Sequence, residues 1–325
     1  MKTTKTSLAS VALGSLVLSA AGLGLMPSAN AAQPPAGNQG WTLVDCNKEQ
    51  PGALQRAIDK ARLGDTIQVR GTCDENVVIP IGTDSITLDG GGNGTVRGVD
   101  ATENTIQIRG PRGITIRGLT VTGGRAGIDV SRGASALIDG NNIHHTGRNG
   151  ITLGAFSTAN IVNNRIEDNE AHGILVTGNA FGFIGFANAD AAVASPNVIR
   201  HNKTHGIYVT WSSAARIAGN EISANAKSGV YVDHVSQANI SENDISGNEN
   251  GVFVTENSGV NLGVENGSGL FNGPNRSPGY NTRFGIVCRV GAYVNGQRGT
   301  LNGTINWKDF GTSCIDSVDA TPDNF

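Results

Sequence analysis

A short phrase of glycine, an aliphatic residue, any residue and a second aliphatic residue recurs through the middle of the chain. Its glycines are Gly127, Gly150, Gly173, Gly206, Gly229 and Gly251. Successive phrases therefore begin 23, 23, 33, 23 and 22 residues apart. A period in the twenties is typical of a solenoid, in which each repeat forms one coil. With 325 residues, 46 Gly and only 16% charged residues, the chain has the length and composition for the long core of such a fold.

Each period holds three apolar segments that are too short and too alternating to be helices. In one coil these segments are residues 159–162, 164–166 and 173–176, and Gly and Asn separate them. Asn tolerates the left-handed backbone of a sharp corner, and its amide can bond to an equivalent amide one coil away. The asparagines that we align in successive coils are Asn142, Asn164, Asn197, Asn220 and Asn243.

Three strands per coil and a repeated asparagine resemble the parallel β-helix of the pectin-lyase-like superfamily, over about residues 64–290. The resemblance implies an all-β fold, a single-stranded right-handed parallel β-helix solenoid, and its right hand comes from the family. Two long segments, residues 185–196 and 258–283, interrupt the period. Long loops on solenoids often carry function, and a tolerated surface insertion is the alternative.

The open ends of a solenoid need covers. Within residues 51–63, apolar residues follow the i, i+3, i+4, i+7 spacing of an amphipathic helix, which predicts an N-terminal capping helix. Such a helix also matches the superfamily. The predicted β-helix domain spans residues 41–315, with an N-terminal cap at 41–65 and a C-terminal cap at 291–314. Residues 316–325 are predicted to form a loose tail.

Residues 1–31 have the pattern of a signal peptide. Lys2 and Lys5 precede an apolar run that ends at Pro27, and Ala29–Ala31 fits a small-residue cleavage site. The alternative, a membrane anchor, would need a longer apolar run. Residues 32–40 are then a flexible leader, and no other stretch could cross a membrane. We therefore predict a secreted or periplasmic protein.

Four cysteines lie in pairs at the two ends of the predicted solenoid: Cys46, Cys73, Cys288 and Cys314. An even number of cysteines in an exported protein favours disulfides. Of the three possible connectivities, Cys46–Cys73 and Cys288–Cys314 are the local ones, and each would fix a cap to its nearest coil. A zinc site is the weaker alternative, because the close spacing of zinc ligands is absent.

One residue in each repeated phrase faces solvent, because the two aliphatic residues around it face the core. These residues are Asp129, Thr152, Leu175, Tyr208, Tyr231 and Phe253. In members of the superfamily this strand forms the floor of a polysaccharide groove. A net charge of −3 without a basic tract argues against nucleic acid. We expect a monomer whose partner is a polysaccharide.

The period brings several rare side chains of the chain into one patch: His205, Tyr208, Trp211, Lys227, Tyr231, Asp233 and His234. Glu256 is equivalent to His234, and Arg148 to Lys227. Aromatic faces suit sugar stacking, His and Tyr transfer protons, and Lys or Arg can neutralise a carboxylate. A lyase or C5-epimerase acting on a uronate polymer needs such a set of groups.

The segment Tyr231-Val232-Asp233-His234 resembles the Tyr…Asp-Pro-His element of alginate C5-epimerases, with one residue fewer after Tyr and no Pro. We predict His234 as acid or base, Tyr231 as its partner and Asp233 as the group that orients His234. Lys227 and Arg148 are candidates to meet the carboxylate. Four further residues complete the predicted site, His205 for proton transfer and Tyr208, Trp211 and Glu256 for substrate contact.

Other interpretations of this patch remain open. Stacked aromatic residues can be purely structural, and the alternative is a non-catalytic carbohydrate-binding or structural protein of the surface or periplasm. A glycosidase needs two carboxyl groups at one bond, for which Asp233 and Glu256 are the only pair. Asp129 and Asp233, the acids of the groove strand, lie four coils apart, so no metal site or cofactor is predicted and Ca²⁺ is left without a clear site.

Overall fold

Short parallel strands build most of the described structure. A computed structural model describes residues 40–186, 194–263 and 273–319. Within these ranges the only α-helix is Ala53–Lys60 (α1). Strands of successive coils pair in parallel, as Ile151 does with Ile128 before it and Ile174 after it. The predicted all-β parallel solenoid with a capping helix is thereby confirmed.

The strands fall into two sheets. In chain order they are Trp41–Asp45 (β1), Thr66–Asp74 (β2), Val77–Ile79 (β3), Thr87–Gly98 (β4), Ile106–Arg109 (β5), Ile114–Gly123 (β6), Ile128–Ser131 (β7), Ser135–Asp139 (β8), Asn142–His144 (β9), Ile151–Leu153 (β10), Thr158–Val162 (β11), Arg165–Glu167 (β12), Ile174–Val176 (β13), Phe181–Ile184 (β14), Val198–Arg200 (β15), Ile207–Val209 (β16), Ala214–Ala218 (β17), Glu221–Ser223 (β18), Ser228–Val232 (β19), Gln237–Ser241 (β20), Asp244–Ser246 (β21), Asn250–Val254 (β22), Gly259–Leu262 (β23), Phe284–Cys288 (β24), Tyr293–Gly296 (β25), Asn306–Phe310 (β26) and Ile315–Val318 (β27). The ten-stranded sheet contains β3, β5, β7, β10, β13, β16, β19, β22, β24 and β26. The other strands form a seventeen-stranded sheet on the remaining faces of the coils.

The core is a stack of aliphatic side chains inside the coils. In β16, Ile207 and Val209 are fully buried, whereas Tyr208 between them is half-buried on the outer face. The same alternation recurs along the ten-stranded sheet, because the strand period of two sends alternate side chains to opposite faces. Burying one such aliphatic side chain contributes about 1.5–3 kcal/mol.

A ladder of buried asparagines joins the coils, but it does not pass through Asn142 as predicted. Its members are Asn141, Asn164, Asn197, Asn220, Asn243 and Asn275. Because Asn142 pairs with Arg165 in the strands, the residue stacked on Asn164 is Asn141, whose Nδ2 donates to Asn164 Oδ1 at 3.0 Å. Adjacent asparagines in the sequence caused the error of one position.

A second asparagine ladder, not predicted from the sequence, marks another corner of the coils. Its members are Asn169, Asn202, Asn225, Asn248 and Asn281. In both ladders each buried amide except the last donates to a backbone carbonyl and to the next amide, as Asn225 does to Ile199 and Asn248. These bonds satisfy the polar groups that sharp corners leave inside the coil.

The two ends of the solenoid are closed as predicted by a helix and two disulfides. Leu54 and Ile58 of α1 are buried against the first coils. The Glu75 carboxylate accepts the N–H groups of Leu54 and Gln55, so the helix N-terminus keeps its hydrogen bonds and meets a negative charge. Two disulfides, Cys46–Cys73 and Cys288–Cys314, confirm the predicted pairing.

Both predicted interruptions of the period lie partly outside the described residues, which omit 187–193 and 264–272. The first leaves the coil at Gly185, whose carbonyl accepts the N–H of Ser195 at 2.7 Å. A Cβ on Gly185 would lie 1.9 Å from the Ala218 carbonyl oxygen, so only glycine fits there. After the second interruption, Asn275 accepts a hydrogen bond from Asn243 and Asn281 accepts one from Asn248, so both ladders continue.

Strand β27 pairs with β25, so the coil extends three residues into the segment 316–325 that was predicted as a loose tail. The predicted signal peptide, residues 1–31, lies outside the described residues, as does the leader 32–40 except for Gly40. No helix in the described part of the chain has the length and apolar character needed to cross a membrane.

We expect Asn220→Ala to destabilise the protein by about 2 kcal/mol or more, because it leaves buried groups on both neighbouring coils without partners. Asn239→Ala, on the exposed face of the next coil, should change stability by less than about 0.5 kcal/mol. Urea unfolding followed by circular dichroism would compare the two variants. Equal midpoints would show that the ladder contributes nothing to stability.

Candidate functional site

The predicted outward column forms a continuous row on the ten-stranded sheet. Tyr208 stands beside Tyr231 and Tyr231 beside Phe253 in the strand register, with Leu175 before them and Val287 after them. The ring centroids of Tyr208 and Tyr231 lie 5.1 Å apart, and those of Tyr231 and Phe253 lie 5.2 Å apart. The row is therefore a half-buried aromatic floor that runs along the stacking direction of the coils.

At the end of this floor strand, Asp233 links two side chains that can move protons. The Tyr208 hydroxyl donates to Asp233 Oδ2 at 2.8 Å. His234 Nδ1 lies 2.9 Å from Asp233 Oδ1 and 3.1 Å from Glu256 Oε2. Asp233 is only 3% exposed, whereas the His234 side chain is 37% exposed, so a buried carboxylate holds an imidazole that reaches the surface.

The contact with Asp233 raises the pKa of His234 above its ordinary value; the partial burial of His234 opposes this, and the charges of Asp233 and Glu256 add to it. The contact has the length of a hydrogen bond, but Asp233 Oδ1 accepts no well-directed one, so we treat it as an ion pair. Asp233 Oδ1 therefore has a lone pair without a hydrogen-bond donor next to the His234 imidazole.

Burial keeps both tyrosines of the floor protonated. It raises the pKa of Tyr231 to about 12, and it raises the pKa of Tyr208 further. Tyr208 was predicted only to contact substrate, but its hydroxyl donates a hydrogen bond to Asp233. Tyr231 stacks instead on His205, with ring centroids 4.5 Å apart. Its predicted partnership with His234 remains a prediction.

Two stacked histidines line the other margin of the floor. His172 and His205 have ring centroids 5.4 Å apart. Burial is the main cause that lowers their pKa values, to about 4 for His172 and about 3 for His205. His205 Nδ1 accepts the Ser228 N–H, so its other nitrogen carries the proton of the neutral ring. Both rings are therefore neutral at pH 7, and the predicted role of His205 in proton transfer remains a prediction.

Corner residues of successive coils form an exposed ridge beside the floor. Trp211, His234 and Glu256 take equivalent corner positions, and each has a left-handed backbone with φ of 54°, 49° and 54°. The Trp211 ring is stacked on His234 at 4.6 Å, and Trp211 is 60% exposed. The predicted alignment of these three residues is therefore observed.

Exposed basic residues stand on the opposite margin. Backbone hydrogen bonds place Arg148, Ala171, Thr204 and Lys227 in one column, so Arg148 lies three coils from Lys227. Lys227 is closer to Tyr231, with which it lines a cleft. Among the described residues neither Lys227 nor Arg148 has an ion-pair partner. Lys227 therefore supplies a cation without an ion-pair partner at the end of β19 opposite Asp233.

A cleft of about 390 Å³ continues the floor beyond Tyr231. Phe253 and Val287 lie at its base, and Arg283 and Arg289 stand at its margins. Neither arginine was predicted from the sequence, because the long segment before residue 284 breaks the period that aligns the columns. The repeat of the β-strand pattern at Gly285 was the signal that could have placed them.

Residues 56–267 match the family model described as periplasmic copper-binding protein (NosD), which is more than half of the chain. The chain belongs to the NosD family. This is a parallel β-helix family, which agrees with the predicted superfamily resemblance. The periplasmic family and the two disulfides suit an oxidising compartment.

Solved structures similar to this NosD-family chain share its fold. A pectate lyase, Pel9A, aligns with a TM-score of 0.54 and 13% identity over 87% of this chain and 79% of its own. The periplasmic alginate epimerase AlgG aligns with a TM-score of 0.45 and 13% identity over 86% and 84%. The A-module of the Azotobacter vinelandii mannuronan C-5 epimerase AlgE4 gives 0.43 and 13% over 85% and 95%. At this identity the likeness concerns the fold alone. A search of curated proteins found no match.

The family model is described as copper-binding, so the described residues can be compared with the ligands that copper prefers. They suit Cu²⁺ but not Cu⁺. Asp233, His234 and Glu256 bring one ligand atom each to within 4.8 Å of one another. No free thiol is present among the described residues, and both methionines lie before residue 40. Imidazole and carboxylate ligands suit Cu²⁺, whereas Cu⁺ prefers sulfur. The free lone pair on buried Asp233 Oδ1 supports this fit.

We expect Asp233→Asn to lower the pKa of His234, because it removes the negative charge that stabilises the imidazolium. Tyr208→Phe keeps that charge and should leave the pKa of His234 raised. The titration of the His234 ring proton, followed by NMR and assigned with His234→Gln, would measure both. The same midpoint in Asp233→Asn and the unmodified protein would contradict this account of the pKa.

Proposed function

We propose that this protein is an exported enzyme that removes the C5 proton of a uronate unit in a polysaccharide, as a lyase or a C5-epimerase. The single observation that carries the proposal is the buried Asp233 carboxylate in contact with His234 and Tyr208. Lys227, at the other end of β19, is a nearby cation without an ion-pair partner among the described residues. The fold shared with a pectate lyase supports a uronate polymer as the class of substrate.

Each side chain has one role in the proposed reaction. Neutral His234 takes the proton from C5, the electrons of the C5–H bond pass into the carboxylate group, and Lys227 neutralises the added charge. Asp233 orients the imidazole, and its hydrogen bond with Tyr208 fixes the carboxylate in turn. Trp211, stacked on His234, supplies an exposed face for a neighbouring sugar.

The fate of those electrons separates the two reactions. In a lyase they form a C4–C5 double bond while the C4–O bond breaks, and Tyr231 protonates the departing oxygen. In an epimerase Tyr231 returns a proton to the opposite face of C5, and the polymer stays whole. Tyr231 is the better donor, because the Tyr208 proton is already held by Asp233. Exchange with water then restores imidazole and phenol.

We expect the protein to introduce deuterium at C5 of a uronate polymer in deuterated water, at a rate that rises with pH through the pKa of His234. Only the neutral imidazole can accept the proton, and the pKa of His234 is raised. His234→Gln should slow exchange by about 10²-fold or more. Proton NMR of the sugar would follow exchange, and it would distinguish unsaturated ends from inverted C5.

His144→Gln is the matched control, since His144 lies in β9 on another face and should not affect exchange. Absence of exchange with pectate and alginate, from protein shown to be folded, would contradict the proposed reaction. A non-catalytic carbohydrate-binding or structural protein would then be the better interpretation.

A second candidate function is binding of a divalent metal, and the free lone pair of Asp233 Oδ1 favours it. Asp233, His234 and Glu256 would be the ligands, and their charge and nitrogen content suit Cu²⁺. Calcium fits less well, because it takes six to eight oxygen ligands. The family description as copper-binding supports the choice of ion.

We expect the purified protein to bind one Cu²⁺ ion with nitrogen coupling in its electron paramagnetic resonance spectrum, and His234→Gln to lose that signal. Binding should weaken as the pH falls, because the imidazole must be deprotonated to bind metal. Glu167→Gln, from an exposed Glu167–Asp168–His201 cluster, is the control. Equal Cu²⁺ affinity in Asp233→Asn and the unmodified protein would exclude this site.

A further inference from the structure

The cleft beyond Tyr231 is distinct from the centre at Asp233 and His234. We propose that this cleft binds the carboxylate-bearing sugar next to the reacting unit, so that the polymer lies along the stacking direction of the coils toward the C-terminal end. The inference rests on the proposed function for the identity of the polymer, but its evidence is the cleft itself.

The shape of the cleft suits one apolar sugar face. The aromatic floor passes from Tyr231 to Phe253 and then to Val287 on successive coils, each about 4.8 Å from the last. The cleft, with a volume of about 390 Å³, lies directly above this floor. A sugar seated on Phe253 would therefore be next to one seated on Tyr231.

Basic side chains outnumber acidic ones around the cleft, although the whole chain carries a net charge of −3. One margin is a column of Lys227, Glu249 and Arg283, joined by backbone hydrogen bonds. Arg289 and Asp309 stand at the other margin. Because Arg283 and Arg289 are each paired with one acid, the net positive charge at the cleft is that of Lys227, and it favours an anionic ligand.

The two arginines can receive a carboxylate without losing their present partners. Arg283 Nη1 donates to Glu249 Oε1 at 2.9 Å, and Arg289 Nη2 donates to Asp309. A guanidinium has five N–H donors, so several remain on each arginine. Both side chains are exposed enough to be reached, at 53% for Arg283 and 39% for Arg289.

The long segment before β24 is what builds this margin. The N–H groups of Thr282 and Arg283 donate to the carbonyls of Asn248 and Glu249 at 2.7 and 2.8 Å, which fixes Arg283 above the floor. The second segment that interrupts the period, residues 258–283, thus ends at Arg283, where the chain rejoins the coil and forms one wall of the cleft. This gives the interruption a role in ligand binding.

The test measures binding without turnover, in the His234→Gln background. Isothermal titration with oligogalacturonate and oligomannuronate would be compared with carboxyl-reduced oligomers of the same length. Arg289→Gln should weaken binding of the charged oligomer by about tenfold, because a charge-assisted hydrogen bond is lost. Glu249→Gln should tighten it, because a like charge is removed beside the ligand. Reduced oligomers should bind weakly to every variant.

Arg117→Gln is the matched control, since Arg117 is an exposed arginine paired with Asp89 on another face. Any of three results would overturn the subsite. These are equal affinities of Arg289→Gln and Arg117→Gln for the charged oligomer, weaker binding of that oligomer by Glu249→Gln, and no binding of either charged oligomer. The C5 exchange measurement is independent. If C5 exchange occurs but Arg289→Gln binds the charged oligomer as well as the control does, the proposed reaction stands and the subsite is wrong. If the charged oligomer binds through Arg289 but no exchange occurs, the subsite stands and the proposed reaction is wrong.

Discussion

Amide-to-amide hydrogen bonds at two corners hold each coil on the next, and the rest of the molecule depends on that register. In the first ladder, Asn164 donates to Asn197 and Asn197 to Asn220, although a ten-residue excess separates two of these coils. A buried amide that loses its partner costs about 1–3 kcal/mol, so a slipped register is penalised at every coil. The ladders therefore absorb irregular loops without disturbing the columns on the surface.

The surface chemistry follows from that fixed register. No single coil contains a site: Tyr208, Asp233 and Glu256 come from three coils and meet only because the coils stack in step. The buried carboxylate is the element on which the others depend. It contacts the exposed imidazole, raises the pKa of His234 and accepts a hydrogen bond from the Tyr208 hydroxyl.

The periodicity of the sequence predicted the features that recur in every coil. It failed for the exact position of one asparagine and for the residues after a segment that breaks the period. The fold, the column from Asp129 to Phe253, the capping helix and the disulfides followed from spacing and family resemblance. Asn142 was chosen over Asn141 because spacing cannot resolve adjacent identical residues. The Tyr208–Asp233 bond depends on how side chains reach across coils. Arg283 and Arg289 lie beyond the break in the period.

Because the groove is assembled from whole coils, its length changes in units of one coil. Duplication or loss of a coil after β22 would add or remove one floor residue and move the following ones by about 4.8 Å, without opening the core. The centre around Asp233 would survive such a change while the cleft moved nearer or further. A solenoid of this kind can thus lengthen or shorten its surface groove by whole coils and leave the contacts of Asp233 unchanged.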